Sequence, residues 1–182
     1  IENEWIEGVG ESFQSYNPAT NEVLWRGNHG TPQEIQQAIS SAQKAFFGWA
    51  SLPLDKRKTV IVGFQQQLTH HKIDLATLIS QETGKPLWES LTEVDAMIRK
   101  IDISFDAYDD RCKPMVINSG EKTTLTRHRP HGVIAVLGPF NLPAHLPNGH
   151  IVPALLAGNT VVFKPSELTP MVAEKMVTLW EE

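Results

Sequence analysis

Val133-Ile134-Ala135-Val136-Leu137-Gly138-Pro139-Phe140-Asn141-Leu142-Pro143, followed by Gly158-Asn159-Thr160-Val161-Val162-Phe163-Lys164-Pro165-Ser166-Glu167, decides how this 182-residue chain folds. Each stretch contains an unbroken apolar run that ends in a polar or turn-forming segment. Apolar runs without alternation suit parallel strands covered on both faces. Between them, residues 151–157 read as a small-residue helix, Gly158-Asn159 turns the chain, and Thr169-Pro170 opens a further helix. Strand, helix, strand, helix is the grammar of an open parallel sheet. Seven of the twelve prolines fall between Pro130 and Pro170, so these connections are rigid.

Upstream, the pattern is mainly helical. The first thirty residues alternate short β-like runs (Trp5-Ile6, Ser12-Phe13-Gln14-Ser15-Tyr16 and Glu22-Val23-Leu24-Trp25) with turns. Thr31, Pro32 and Glu34 then supply a capping box with proline at the first helical position. Ile35, Ala38, Ile39, Ala42, Ala45, Phe46 and Trp49 follow on one face. Further helices are predicted over residues 54–69, 73–83 and 87–111, with Gly84 as a C-terminal cap and Pro86 just beyond. Residues 123–128 alternate like an exposed strand. The predicted class is α/β, with helical hairpins followed by the start of a Rossmann-like parallel sheet.

Two parallel strands cannot stand alone, so further strands are expected beyond Glu182. Leu179-Trp180-Glu181-Glu182 also ends inside a helical pattern, with two carboxylates opposing the helix dipole. Both features lead us to expect a piece of a longer chain.

Composition narrows the function classes. Sixteen Lys and Arg against twenty-one Asp and Glu give a net charge of −5. With no basic stripe, nucleic acid is not expected as a partner. Lys56-Arg57-Lys58 reads as a solvated helix turn. No run approaches the ~20 apolar residues of a membrane span. A single cysteine excludes an internal disulfide and a cysteine-rich zinc site, and a cytoplasmic location is expected.

Ligands of open α/β sheets bind where strands end. Asn141 offers an amide donor between two prolines, suited to an oxyanion hole. Lys164 can donate to hydroxyls or phosphate, and Glu167 can accept two hydroxyl protons from a diol. The alternative is structural: Asn141 as a turn residue, Lys164 solvated, and Glu167 placed for a helix dipole. Other patterns fall away. Gly8-Val9-Gly10 has Phe13 where a dinucleotide fingerprint needs its third glycine, and Gly84-Lys85 is followed by Pro86 where a phosphate loop needs Ser or Thr. His145 and His150 lie roughly 140° apart around a helix. Cys112 has Arg111 and Lys113 beside it, but no base or oxyanion donor in sequence.

The run from Gly138 to Pro143, and the longer run Pro153-Ala154-Leu155-Leu156-Ala157-Gly158-Asn159-Thr160-Val161-Val162-Phe163-Lys164-Pro165-Ser166-Glu167-Leu168-Thr169-Pro170, strongly resemble the NAD(P)-dependent aldehyde dehydrogenase superfamily. Asn17-Pro18-Ala19-Thr20 and Glu82-Thr83-Gly84-Lys85-Pro86 match further signatures of that family in the same order. Ala144-His145-Leu146-Pro147-Asn148-Gly149-His150-Ile151 resembles the branch that oxidises N-succinylglutamate 5-semialdehyde in bacterial arginine breakdown. Phe140 stands where many members carry Trp or Tyr, and Leu142 where Phe is commoner; both keep an apolar wall.

The resemblance implies an enzyme in which a cysteine thiolate attacks the aldehyde, hydride passes to NAD, and a glutamate-activated water hydrolyses the thioester. It assigns Asn141 to the oxyanion hole, Lys164 and Glu167 to the adenosine ribose, and Pro139, Phe140 and Ser166 to the cofactor cleft. A carboxylate at Glu167 would repel a 2′-phosphate, which favours NAD over NADP. The implied organisation is the N-terminal part of an aldehyde dehydrogenase fold. Residues 1–120 would form N-terminal strands and helices of the cofactor-binding domain, 121–131 an oligomerisation strand segment, and 132–182 the first βαβα of the NAD-binding sheet. The family's nucleophile and general base match no position here, and Cys112 does not take the nucleophile's place. The 182-residue chain alone is therefore expected to be inactive and to bind NAD weakly or not at all. The whole protein is expected to be a homo-oligomer acting on a small aldehyde. Rival readings are a dehydrogenase for another aldehyde and a non-catalytic nucleotide-binding or assembly module.

Overall fold

Residues 1–2 and 4–182 are described by a computed structural model. An antiparallel pair, β1 (Ser12–Tyr16) and β2 (Val23–Asn28), is followed by helices α1 (Pro32–Ser51), α2 (Leu54–His70), α3 (Lys72–Thr83) and α4 (Leu87–Arg111). A second antiparallel hairpin, β3 (Met115–Ser119) and β4 (Lys122–Thr126), precedes the parallel unit. That unit is β5 (Val133–Leu137), α5 (His145–Leu156), β6 (Thr160–Lys164) and α6 (Pro170–Glu181). β5 and β6 run parallel in register from Val133 opposite Thr160 to Leu137 opposite Lys164. The predicted α/β class and βαβα order are thus present. None of the described helices is long and apolar enough to cross a membrane.

The core is helical. Ile61, Phe64 and Leu68 from α2, Leu75 and Ile79 from α3, and Val94, Met97 and Ile101 from α4 recur at helical spacing and meet Val152, Leu156, Val172, Met176 and Leu179 of α5 and α6. At about 1.5–3 kcal/mol per buried side chain, this cluster holds the α5 and α6 faces against the hairpins. Trp180 stacks on Phe64 with ring centroids 3.8 Å apart.

Several expectations are corrected. Trp5-Ile6 forms no strand. The exposed strand at β4 pairs with a further strand, β3, that local pattern does not predict, so the hairpin starts at Met115 and straddles residue 120. The helix between the parallel strands begins at His145, six residues earlier than expected. Pro147 does not prevent this, because it occupies the first helical turn, where its N–H would have no intrahelical partner. Arg57 is not solvated. It is buried and donates through Nε to the Leu156 carbonyl at 3.1 Å and through Nη1 to the carbonyls of Leu52 and Ala50. One guanidinium thereby satisfies carbonyls at the ends of two helices.

α1 carries its capping box at Thr31 and Glu34 as expected. Its apolar face, however, buries no residue fully, and Ile35 is 52% exposed. That face instead forms one wall of an open groove of about 1220 Å³ whose other wall includes Val133, Ala135 and Leu137 of β5. Side chains alternate along the strand, so Val136 points to the opposite, covered face.

Candidate functional site

The two loops at the carboxyl ends of the parallel strands leave the sheet side by side. The Gly138 N–H donates to the Lys164 carbonyl at 2.9 Å, one step beyond the last paired residues. A Cβ at position 138 would stand 2.9 Å from Phe163 Cε2 and 3.1 Å from Pro147 Cγ. Glycine therefore lets the first loop pass between β6 and α5.

Pro139 is half-buried, while Phe140 and Asn141 are exposed. The Asn141 side chain is open to solvent and makes no hydrogen bond with a described residue, so its carboxamide N–H groups can donate to a ligand. α5 follows at once. Its N-cap, Ala144, has no side-chain acceptor. Glu93 of α4 supplies one: Oε1 accepts from the Ala144 N–H at 3.0 Å and the His145 N–H at 3.1 Å. Its other oxygen pairs with Lys85 Nζ at 2.7 Å, and the Glu93 side chain is 1% exposed. Asn148 Nδ2 adds a bond to the Met97 carbonyl. Burial holds His145 below the usual imidazole range, against the pull of Glu93.

The second loop is built in the same manner. Ser166 is buried, and its Oγ accepts from the Leu168 N–H at 3.2 Å, which closes the turn. Lys164 Nζ lies 3.3 Å from Glu167 Oε2, with both side chains open to solvent. Glu167's own backbone N–H, and then Lys164, hold its carboxyl below the usual carboxylate range, so it is anionic at neutral pH. Thr169 stands at the N-cap of α6 but makes no side-chain cap. Glu82 at the end of α3 does so instead. Its Oε1 accepts from the Met171 N–H at 3.0 Å, its Oε2 from the Val172 N–H at 2.8 Å, and Ser15 Oγ donates to Oε1 at 2.6 Å. Burial pushes the Glu82 pKa up, against the hydrogen bonds from Ser15, Val172 and Met171.

The structure thus brings Lys164, Ser166 and Glu167 into one turn and sets it beside the loop of Pro139, Phe140 and Asn141. No side-chain bond joins Asn141 to the second turn. Of these residues only Lys164 lines the large α1 groove. Glu82 stands in the sequence only as part of the Glu82–Pro86 signature, with no role assigned, and Glu93 in no motif. The available signal was Glu93's place on the buried stripe of α4, with Ser90, Val94, Met97 and Ile101, where a charge needs a partner.

The model of the aldehyde dehydrogenase family matches residues 5–182. The chain is 52% identical over its whole length to N-succinylglutamate 5-semialdehyde dehydrogenase of Pseudomonas fluorescens, and 50% identical to the enzyme of that name from Burkholderia thailandensis. In both cases it spans 37% of the relative's length. Among solved structures it is similar to lactaldehyde dehydrogenase of Escherichia coli, with TM-score 0.92 and 28% identity, covering 100% of this chain and 38% of that one. It is also similar to an NADP-dependent glyceraldehyde-3-phosphate dehydrogenase of Bacillus halodurans in complex with NADP, with TM-score 0.91 and 28% identity, covering 98% of this chain and 39% of that one.

Proposed function

Because the chain belongs to the aldehyde dehydrogenase family, we propose that the whole protein oxidises N-succinylglutamate 5-semialdehyde to N-succinylglutamate with NAD, as a step of arginine breakdown. The observation that carries this reading is the 52% identity over the full chain to an enzyme named for that aldehyde. The loop geometry supports it.

In this proposal the free amide of Asn141 donates to the aldehyde oxygen as negative charge builds there. The donor is placed before the reaction, so little reorganisation is needed. Lys164 and Glu167 hold the adenosine ribose, with the Glu167 carboxylate accepting from its hydroxyls. An anion at Glu167 suits a diol and disfavours a 2′-phosphate. Ser166 keeps the turn closed, while Pro139 and Phe140 give the cleft an apolar wall. When bound, NAD supplies the hydride acceptor. The exposed β3–β4 hairpin, with Met115, Val116 and Ile117 each more than half exposed, is where we place contact with a second copy.

The test is cofactor reduction by protein from the complete gene. N-succinylglutamate 5-semialdehyde is compared with simple aliphatic aldehydes, with NAD and NADP in parallel and the 182-residue chain as control. Strong preference for the succinylated aldehyde and NAD, with a silent control, is expected. Turnover of simple aldehydes alone would favour a dehydrogenase for another aldehyde.

A further inference from the structure

Two buried glutamates from the α3–α4 region each chelate the start of a helix that follows a candidate ligand loop. Glu82 takes the N–H groups of Met171 and Val172, directly after the turn of Lys164, Ser166 and Glu167. Glu93 takes those of Ala144 and His145, directly after the loop of Asn141. Neither helix has a side-chain cap of its own, so these carboxylates do what local capping residues would otherwise do. They also fix where each helix begins, and hence where the loop before it ends.

The two caps share a footing. Lys85, three residues after Glu82, neutralises Glu93. Gly84 adopts a left-handed conformation at φ 74°, and its Cα lies so close to Pro18 that an added Cβ would stand 2.9 Å from Pro18 Cγ. Ser15, three residues before Pro18, donates to Glu82. Three separated sequence segments, 15–18, 82–84 and 171–172, therefore meet at one point. The 82–93 region links this point to the loop of Asn141.

We propose that Glu82 and Glu93 are positioning residues with divided duties. Glu82 sets the Lys164–Glu167 turn and through it cofactor affinity; Glu93 sets Asn141 and through it the chemical step. This deepens the functional reading above and rests on it.

The experiment uses full-length protein carrying Glu82→Gln, Glu93→Gln and the conservative Glu82→Asp and Glu93→Asp. Steady-state kinetics are combined with amide hydrogen exchange at the starts of α5 and α6. Glu82→Gln is expected to raise KM for NAD on the order of tenfold with kcat changed less than about twofold. Glu93→Gln is expected to lower kcat on the order of 10²-fold with KM for NAD nearly constant. Exchange should quicken at Met171 and Val172 only in the first variant, and at Ala144 and His145 only in the second. The Asp variants should recover part of each loss, and they decide the matter if a Gln variant does not fold. Equal effects of both variants on kcat and KM, or crossed exchange patterns, would overturn the division of duties. An inactive wild-type protein would instead overturn the functional reading beneath it.

Discussion

Lys85 Nζ and Glu93 Oε2 meet at 2.7 Å, in a pair whose carboxylate is 1% exposed and whose second oxygen holds the first N–H groups of α5. A buried carboxylate with only one partner would be costly. Here the lysine and two amides satisfy it together, so removing Lys85 strands a charge. Lys85→Met should destabilise the full-length protein by about 3–5 kcal/mol, as read from denaturant midpoints. Combining it with Glu93→Gln should cost less than the sum of the two single changes.

Glu167 gives a test of cofactor choice. Its carboxyl is anionic at neutral pH and lies at the solvent-facing end of the turn. On the proposed reading, in which the Glu167 charge repels a 2′-phosphate, Glu167→Gln should weaken discrimination against NADP by about tenfold. The ratio of kcat/KM values for NAD and NADP measures it; an unchanged ratio would remove Glu167 from cofactor choice.

Glu82 predicts a direction with pH. Its folded pKa is raised above the ordinary 4.5 by burial. An acid raised on folding costs nothing while protonated, and costs stability as pH climbs from the unfolded to the folded pKa. Glutamine removes that titration. The stability advantage of wild type over Glu82→Gln should therefore be largest in acid and shrink as pH rises above 4.5. Melting both proteins across pH checks this; an advantage that grows with pH would mean the hydrogen bonds outweigh the burial.

Arg57 ties the ends of α1 and α5 through backbone carbonyls. Arg57→Met keeps most of the volume but leaves those carbonyls without a donor, at a cost of about 1–3 kcal/mol. Chemical denaturation should show the loss.

Much of this was legible in the residues. The four N-terminal helices, the strand–helix–strand–helix order of the parallel unit, the Thr31–Glu34 box and the Gly84 cap all follow from local patterns and are present in the fold, whereas β3 and the start of α5 at His145 do not. What escaped was long-range. Arg57 sits in a charged run that reads as solvent-facing, and only the arrival of α5 ninety-nine positions later gives it a buried partner. Glu82 and Glu93 belong to helices by periodicity, yet their oxygens serve helices formed far downstream. α1 has the stripe of a core helix, but its apolar face lines an open groove. Pattern shows that a face is apolar; what covers it is set by the rest of the sheet.

Asn141 provides the most direct test of the central claim, that the loop after β5 stabilises an oxyanion. The measurement is kcat for N-succinylglutamate 5-semialdehyde at saturating NAD, for full-length wild type and Asn141→Ala. The expected result is a fall in kcat of about 10²–10³-fold, with KM for NAD essentially unchanged. A kcat within about twofold of wild type would contradict it and leave Asn141 as a turn residue.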